Sequence, residues 1–277
     1  MKNKIESAIK YLTDQVEYFP KLAIILGSGL GPFSDHISDK LVIDTLQIPF
    51  YPKSTVEGHE GSWIVGNLEN RKILALKGRI HFYEGYSIQD VTFPIQLLAE
   101  LGITHLIITN AAGGLNLKFQ PGDLMLINDH INFSFKNPLV SNDPLPPGKR
   151  FVDMSEPYDQ ELIQMTEETG LDLGIQLQKG VLINGLGPSY ETAAEVRMLR
   201  MLGGDAATMS TVPEVLVANQ NNMKVLGISC ITNLATGMTQ NRLDHSEVTE
   251  IAAQVSDKFQ KLIKGVIKNI YDYSLEN

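Results

Sequence analysis

The chain has 277 residues, of which 43% are hydrophobic and 20% are charged, so it can bury a substantial core and is not typical of a disordered protein. Its formal net charge of −9 argues against a nucleic-acid partner bound through bulk electrostatics. Any phosphate site must therefore be a local cluster of polar residues on an acidic background.

Helix and strand patterns alternate along the chain, beginning with an amphipathic helix that runs from Ile5 to Phe19 and ends at Pro20. Apolar, often β-branched runs predict strands at 22–26, 73–76, 105–109, 124–128, 181–184 and 225–231. Helices are predicted at 91–101, 158–169 and 192–202, with one more starting at Thr211 and a long one starting at Asp244. Several strands are too uniformly apolar to be half exposed. We predict an α/β fold with a mixed, largely buried sheet in one domain, residues 1–277.

The N-terminus and the cysteine content bear on where the protein works. Acidic residues and helical spacing closely follow Met1, which is not typical of a signal peptide. No apolar run approaches the roughly 20 residues that a membrane-spanning helix needs. Cys230 is the single cysteine, and we interpret it as a small buried hydrophobic residue. We therefore expect a cytoplasmic protein without a membrane or nucleic-acid partner.

The sequence offers little support for metal or serine-hydrolase chemistry. The six histidines show no paired spacing of the kind that metal ligands have, and no second cysteine could help them. The Gly-x-Ser-x-Gly motif of many serine hydrolases is also absent. We therefore expect no metal site.

A glycine-rich turn, residues 27–31, follows the first predicted strand. Its backbone N–H groups can approach an anion closely, and the Ser28 hydroxyl lies among them. A dinucleotide-binding fingerprint would need glycine where Pro32 stands, and a P-loop would need a Lys that is absent. The turn is therefore either a small anion site or a tight turn without a ligand.

Polar residues alternate just after the strand predicted at 73–76. If this segment is extended, Arg79, His81 and Tyr83 lie on one face. Arg fits a phosphate, His donates or accepts near neutral pH, and Tyr offers a hydroxyl. Burying all three is costly unless an anionic, hydroxyl-bearing ligand satisfies them. The alternative is a solvated edge strand.

A run of small residues, 109–115, stands at the end of the strand predicted at 105–109. Small side chains there would let a ligand approach the main chain of Ala111 closely. We expect this strand end and the Ser28 turn to border one crevice, because ligands collect at strand carboxyl ends in α/β sheets. Ser210 precedes a predicted helix N-terminus, which favours an anion, although capping is the alternative and is our preferred interpretation of Thr211.

Two further segments suit a planar heterocycle. Tyr190 can cover a ring while Glu191 accepts a hydrogen bond from a ring N–H, although a glutamate in a first helical turn is common without a ligand. Asn233 ends the strand at 225–231, where its amide can both donate to and accept from the edge of a base.

Taken together and in chain order, these motifs resemble the purine nucleoside phosphorylases, in the trimeric branch that prefers 6-oxopurines. The resemblance runs over about 21–248 and rests on six collinear motifs, at 27–31, 78–86, 109–115, 187–192, 209–214 and 231–233. It implies a single α/β domain with a central barrel-like sheet flanked by helices, assembled as a homotrimer. It further implies reversible phosphorolysis of inosine, guanosine and their 2′-deoxy forms to a free base and (deoxy)ribose 1-phosphate.

The resemblance also implies a role for each matching residue, with inorganic phosphate as co-substrate and no cofactor. Phosphate would be held by Ser28, His59, Arg79, His81, the backbone of Ala111, and Ser210. The ribose would be bordered by Tyr83, Met209 and His245, and by Phe151 contributed across the subunit interface. The base would be held by Tyr190, Glu191 and Asn233, and the catalytic residues would be Glu191, Asn233 and His81.

Two departures from the family pattern bear on base preference. Thr208 stands where relatives often have Gly, and Leu234 stands where the vertebrate enzymes have Lys. The related methylthioadenosine phosphorylases carry Asp at the position of Asn233, so this amide favours a 6-oxopurine. A methylthioadenosine phosphorylase is the nearest alternative, a nucleoside-binding protein without catalysis is the second, and a dinucleotide-dependent oxidoreductase is the third.

Overall fold

The protein is described by a computed structural model over residues 1–55, 61–141, 150–239 and 245–275, the side chains of 245–249 excepted. Its α-helices are α1 (Lys2–Gln15), α2 (Ile88–Val91), α3 (Phe93–Glu100), α4 (Gln160–Asp172), α5 (Ala193–Met201), α6 (Val212–Gln220), α7 (His245–Gln254) and α8 (Ser256–Ile270). Its strands are β1 (Leu22–Leu26), β2 (Ser38–Asp44), β3 (Ser62–Leu68), β4 (Arg71–Lys77), β5 (His105–Gly114), β6 (Leu124–Ile131), β7 (Leu177–Asn184), β8 (Ala206–Thr208) and β9 (Lys224–Leu234).

The strands form one mixed sheet in the order β2-β3-β4-β1-β5-β8-β7-β6-β9, and β9 pairs again with β5. This second pairing closes a barrel from β5, β8, β7, β6 and β9, while β1, β4, β3 and β2 extend the sheet outward from β5. The helices pack around this sheet, and the strands that cross the core are almost wholly buried. The α/β fold class and the barrel-like mixed sheet expected from the sequence are confirmed.

Four of the strands run parallel and so end at one edge. β4 and β5 both lie parallel to β1, and β9 lies parallel to β5 over ten residue pairs from His105↔Lys224 to Gly114↔Leu234. Because parallel strands share one carboxyl edge, the residues that follow β1, β4, β5 and β9 meet there. This edge carries the candidate site.

Two segments at this edge differ from the conformation considered in the sequence analysis. β4 ends at Lys77, and the segment from Arg79 to Tyr83 is not a strand, because Gly78 turns the backbone at φ +91° and a 3-10 turn follows at Phe82–Glu84. The strand predicted at 105–109 is longer than expected, since β5 continues to Gly114. Its small side chains let the backbone keep pairing with β9 through an irregularity at Ala112/Gly113.

Most other elements match the sequence prediction within a few residues, with two exceptions. The long C-terminal helix is instead two helices, α7 and α8, with Val255 between them. The strands β2, β3 and β8 were not predicted. β2 is mostly exposed and β8 has only three residues, so neither carries the apolar run by which the other strands were recognised.

Candidate active site

A cavity of about 380 Å³ opens at the carboxyl edge of the parallel strands. Of the residues expected to bind a ligand, it brings together Ser28, Arg79, His81, Tyr83, Ala111, Tyr190, Glu191, Met209, Ser210 and Asn233. These come from β5, from the ends of β1, β4, β8 and β9, from the loop between β7 and α5, and from the turn before α6, although they lie far apart in sequence. The Arg79-His81-Tyr83 group therefore faces one cavity, even though its segment does not continue β4 as an extended strand.

The Ser28 turn lies against β5 at very short range. The Gly27 N–H donates to the Thr109 hydroxyl at 3.0 Å. A Cβ at Gly27 would stand 2.7 Å from both the Cα of Asn110 and the carbonyl oxygen of Thr109. Glycine is therefore required here, because any side chain would push the Ser28 turn away from the Ala111 main chain.

Arg79 is the buried cation of the cavity. Its Nη1 donates to the Ser210 hydroxyl at 2.8 Å and to the Thr211 hydroxyl at 3.1 Å, and its Nη2 donates to the Thr109 carbonyl. Glu214 lies 3.6 Å from Nη1, and both side chains are about 95% buried. The guanidinium is therefore fixed in place next to Ser210 before any anion binds.

His81 is held by a second buried carboxylate, that of Glu84. Glu84 Oε1 accepts from the His81 backbone N–H at 2.7 Å and lies 3.2 Å from its Nδ1. Glu84 Oε2 accepts from the backbone N–H and the hydroxyl of Thr55 at 2.6 and 2.9 Å. Burial raises the pKa of Glu84, but the hydrogen bonds from His81 and Thr55 outweigh it and lower the pKa to about 2.

We expect Glu84→Gln to destabilise the protein at neutral pH. The pKa of Glu84 lies below the ordinary 4.5, so its carboxylate stabilises the fold above pH 4.5 and this contribution is lost as the pH falls toward 2. The loss at pH 7 should be about 2 kcal/mol, less than the full pKa difference implies because the adjoining cavity lets water screen the charge.

Thermal unfolding of both proteins between pH 7 and pH 4 checks this prediction. The difference in Tm should be largest at pH 7 and shrink below pH 4.5. The control is Asp44→Asn, which changes an exposed carboxylate that accepts from the Leu46 N–H at 2.8 Å, also at a 3-10 turn. A Glu84→Gln effect as small as that of the control would contradict the stabilising role.

The aromatic and thioether side chains of the cavity adjoin the His81 end. The rings of His81 and Tyr83 stack with centroids 4.7 Å apart. Burial, with the charge of Glu84, raises the pKa of Tyr83 to about 12, so its hydroxyl stays protonated and can donate as well as accept. Met209 follows β8, and its neighbour Thr208 lines the cavity while donating to the Ala111 carbonyl at 3.2 Å.

The cavity lining also carries a carboxyl, an amide and a half-exposed ring. Burial raises the pKa of Glu191 above its ordinary value. One N–H of the Asn233 amide donates to the Leu234 carbonyl at 3.2 Å, and the Asn233 oxygen accepts from the Thr232 hydroxyl at 3.0 Å. The second amide hydrogen can therefore donate to a ligand. Tyr190 is 42% exposed at the rim.

Of the three other expected site residues, the structure describes the side chain of Phe151 alone. Phe151 is 89% exposed and borders a separate cavity with Pro157 and Met223. His59 lies outside the described residues, and α7 begins at His245, whose side chain is also outside them. The described part of the chain holds no cluster of three or more His, Cys, Asp or Glu side chains arranged to bind a metal ion. No helix within the described ranges has the length and hydropathy to cross a membrane.

Sequence reasoning missed three residues that shape the cavity. Asn110 lines it, donates to the Thr211 hydroxyl at 2.9 Å, and has an Oδ1 that makes no hydrogen bond to the described residues. Glu84 and Glu214 support His81 and Arg79 from outside the lining. Both glutamates are the third residue of a helical turn, and this position is so often a cap that it does not by itself indicate a site.

Comparisons with known proteins show the family to which the chain belongs. Residues 21–268 match the phosphorylase superfamily. The chain is 49% identical to purine nucleoside phosphorylase 1 of Bacillus subtilis over 96% of this chain and 98% of that one. It is 42% identical to mouse purine nucleoside phosphorylase over 96% and 94% of the two chains.

A solved structure has nearly the same fold. A Schistosoma purine nucleoside phosphorylase in complex with hypoxanthine superposes with a TM-score of 0.91 and 33% identity, over 97% of each chain. Family match, sequence identity and fold agree over nearly the whole length. The chain therefore belongs to the phosphorylase superfamily and, within it, to the purine nucleoside phosphorylases, which are pentosyltransferases.

Proposed function

We propose that this protein catalyses the reversible phosphorolysis of 6-oxopurine nucleosides, inosine and guanosine and their 2′-deoxy forms, with inorganic phosphate as co-substrate. One observation carries the proposal: a single cavity is lined by the cation Arg79 and also by Glu191 and Asn233. The same cavity therefore offers groups that suit an anion and groups that suit a purine, with Tyr83 and Met209 also on its lining to border a pentose.

The phosphate end supplies an anion site on an acidic protein. Arg79 is fixed beside the Ser210 hydroxyl at 2.8 Å. We assign phosphate binding to Arg79, His81, Ser28, Ser210 and the backbone of Ala111. His59, which lies outside the described residues, is a further expected contact. These groups replace the water that a phosphate loses on entering the cavity, and charged donors make the strongest such bonds.

The reaction needs no covalent enzyme intermediate in this proposal. The bond between the sugar C1′ and the base nitrogen breaks, and its electron pair leaves with the base. Positive charge develops on the sugar, and the phosphate beside it first stabilises this charge and then bonds to C1′ through an oxygen. The departing base takes up one proton and the hydrogen phosphate that attacked gives one up, so the products are the neutral free base and pentose 1-phosphate. The reverse reaction follows the same path.

The base end stabilises the leaving group. We assign the Glu191 carboxylate to accept from the purine N1–H and the Asn233 amide to donate toward N7 or O6, with Tyr190 covering the ring. The bond donated by Asn233 strengthens as negative charge develops on the base, which is where binding energy accelerates a reaction, while Glu191 holds and orients the base through its N1–H. Among the relatives, one Schistosoma enzyme was solved with hypoxanthine, the base of inosine, and the Schistosoma mansoni enzyme was solved with adenosine, which supports binding of a purine.

We expect activity on inosine to fall on the acid side as Glu191 is protonated. Because burial raises the pKa of this carboxyl, the midpoint of the fall should lie above the ordinary 4.5 of a glutamate. The measurement is kcat/KM for inosine from pH 4.5 to pH 8 at saturating phosphate. Glu191→Gln should lower kcat/KM at pH 7 and flatten the acid limb, whereas an unchanged limb in this variant would assign it to another group.

A panel of nucleosides assayed with and without phosphate tests the proposal as a whole. Hypoxanthine should be released from inosine only when phosphate is present. Equal release without phosphate would make the protein a hydrolase, and no release in either case would leave a nucleoside-binding protein. Faster turnover of methylthioadenosine than of inosine would favour a methylthioadenosine phosphorylase.

We further propose that residues 1–277 act as one nucleoside phosphorylase domain within a cytoplasmic homotrimer. Phe151 is exposed and lies away from the cavity of its own chain, which supports a contact with a neighbouring subunit's ribose site. We assign His245 to the ribose 5′-hydroxyl within the same proposal. Light scattering after size exclusion should give three chain masses.

A further inference from the structure

The start of α6 is joined to Arg79 by a buried polar network that extends behind the cavity. Thr211 Oγ1 accepts from Arg79 Nη1 at 3.1 Å and from Asn110 Nδ2 at 2.9 Å, and Thr211 is fully buried. Glu214 Oε2 accepts from the Thr211 backbone N–H at 2.7 Å and lies 3.6 Å from Arg79 Nη1. Thus one carboxylate contacts both the cation and the backbone that presents Ser210.

The backbone at Thr211 needs such support. Its φ is +80°, a conformation that a β-branched residue rarely adopts and that persists only when the surroundings hold it. The hydrogen bond from the Thr211 N–H to Glu214 and the two bonds received by its hydroxyl fix this conformation on both sides. The hydroxyl of the preceding Ser210 is thereby placed 2.8 Å from Arg79.

Electrostatics alone does not explain why a buried carboxylate, that of Glu214, lies beside the cation of a proposed phosphate site. A buried negative charge 3.6 Å from Arg79 weakens the attraction of that cation for phosphate. It is also costly to desolvate and is tolerable only because it is paired and hydrogen-bonded. What Glu214 supplies to an anion site is therefore geometry, since it fixes the guanidinium and the strained turn together.

We propose that Glu214 is a positioning residue of the phosphate site, which acts through Arg79 and through the Thr211 backbone. This inference rests on the proposed phosphorolysis, and it assigns Glu214 no contact with substrate. It makes a prediction opposite in sign to that of simple electrostatics. Removing the charge should weaken phosphate binding if geometry dominates, and should strengthen it if the carboxylate acts only as a repelling charge.

The test compares Glu214→Gln with wild type in the phosphate-dependent release of hypoxanthine from inosine. We expect the KM for phosphate to rise about tenfold, while the KM for inosine changes less than about twofold. An unchanged or lower phosphate KM would overturn the inference. Absence of phosphate-dependent release in the wild type would instead overturn the proposed function, so the two failures are distinguishable.

The control is Glu195→Gln in α5, the same change in the same local motif. Glu195 Oε2 accepts from the Thr192 backbone N–H at 2.7 Å, but this glutamate is exposed and lines no part of the cavity. Its phosphate KM should equal that of wild type, and a rise equal to that of Glu214→Gln would overturn the inference.

If circular dichroism shows Glu214→Gln to be unfolded, the variants Thr211→Val and Thr211→Ser test the same network. Valine keeps the shape of threonine but removes the acceptor shared by Arg79 and Asn110, whereas serine keeps that acceptor. The inference is supported if Thr211→Val raises the KM for phosphate and Thr211→Ser has the KM of wild type. Wild-type values in both variants overturn it.

Discussion

Arg79→Ala is expected to raise the KM for phosphate by about a hundredfold, equivalent to roughly 2.7 kcal/mol, because charged donors to phosphate are the strongest hydrogen bonds of such a site. The KM for inosine should change far less, since the proposal assigns the ribose and the base to other residues of the cavity lining. Initial rates of hypoxanthine release over a range of phosphate concentrations give both constants. An unaltered phosphate KM would contradict the role assigned to Arg79.

Loss of stability must be separated from loss of phosphate binding in this variant. Arg79→Ala leaves the buried Glu214 carboxylate without its cation, which costs roughly 3–5 kcal/mol. The double variant Arg79→Ala/Glu214→Gln removes that uncompensated charge, so its Tm should recover in part while its phosphate KM stays high. Arg71→Ala serves as the control, because Arg71 pairs with Asp272 outside the cavity.

Asn233→Asp is expected to reverse much of the preference for a 6-oxopurine. A carboxylate cannot donate to O6 or N7 of hypoxanthine, but it can accept from the 6-amino group of adenine. A site that loses a hydrogen-bond donor to its substrate discriminates strongly, so kcat/KM for inosine should fall about a hundredfold. The ratio of kcat/KM for adenosine to that for inosine should rise by at least as much.

Parallel measurements of kcat/KM for inosine and adenosine check this result. Asn269→Asp makes the same chemical change in α8, where the amide donates to the Thr169 hydroxyl at 2.9 Å and lies outside the cavity lining. Its selectivity should match wild type. Unchanged selectivity in Asn233→Asp would refute the assignment of this amide to the base edge.

The sequence predicted those buried strands that carry an uninterrupted apolar run as a local signal. It missed β3, which is also mostly buried, because Gly66 and Asn67 interrupt its apolar residues. β1, at Leu22–Leu26, is wholly apolar and is buried along its entire length, so its prediction matches the structure. β2 carries no such signal in its sequence, since only Ile43 of its seven residues is buried. Closure of the barrel through the second pairing of β9 is a long-range contact that no local pattern indicates, and here the family resemblance supplied the expectation.

Some residues of the candidate site could be recognised from the sequence and others could not. Ser28, Arg79 and Asn233 stand out in sequence because polar groups at strand ends beside small residues are unusual. Glu84 and Glu214 do not, because a glutamate in a first helical turn commonly caps a helix at the surface. Their importance depends on burial against His81 and Arg79, and burial is decided by parts of the chain distant in sequence.

The pairing of β5 with β9 also bears on the order in which the chain can acquire its function during folding. Strands β1, β4 and β5 all lie within the first 114 residues, yet β5 is completed by β9, whose first pair joins His105 to Lys224. Arg79 likewise finds Ser210 and Thr211 more than 130 residues further along the chain. Contacts of such high contact order form slowly, since a long loop must close first. A nascent chain therefore contains Arg79 long before the chain can form the proposed phosphate site. A ligand of that site can stabilise only an almost complete fold.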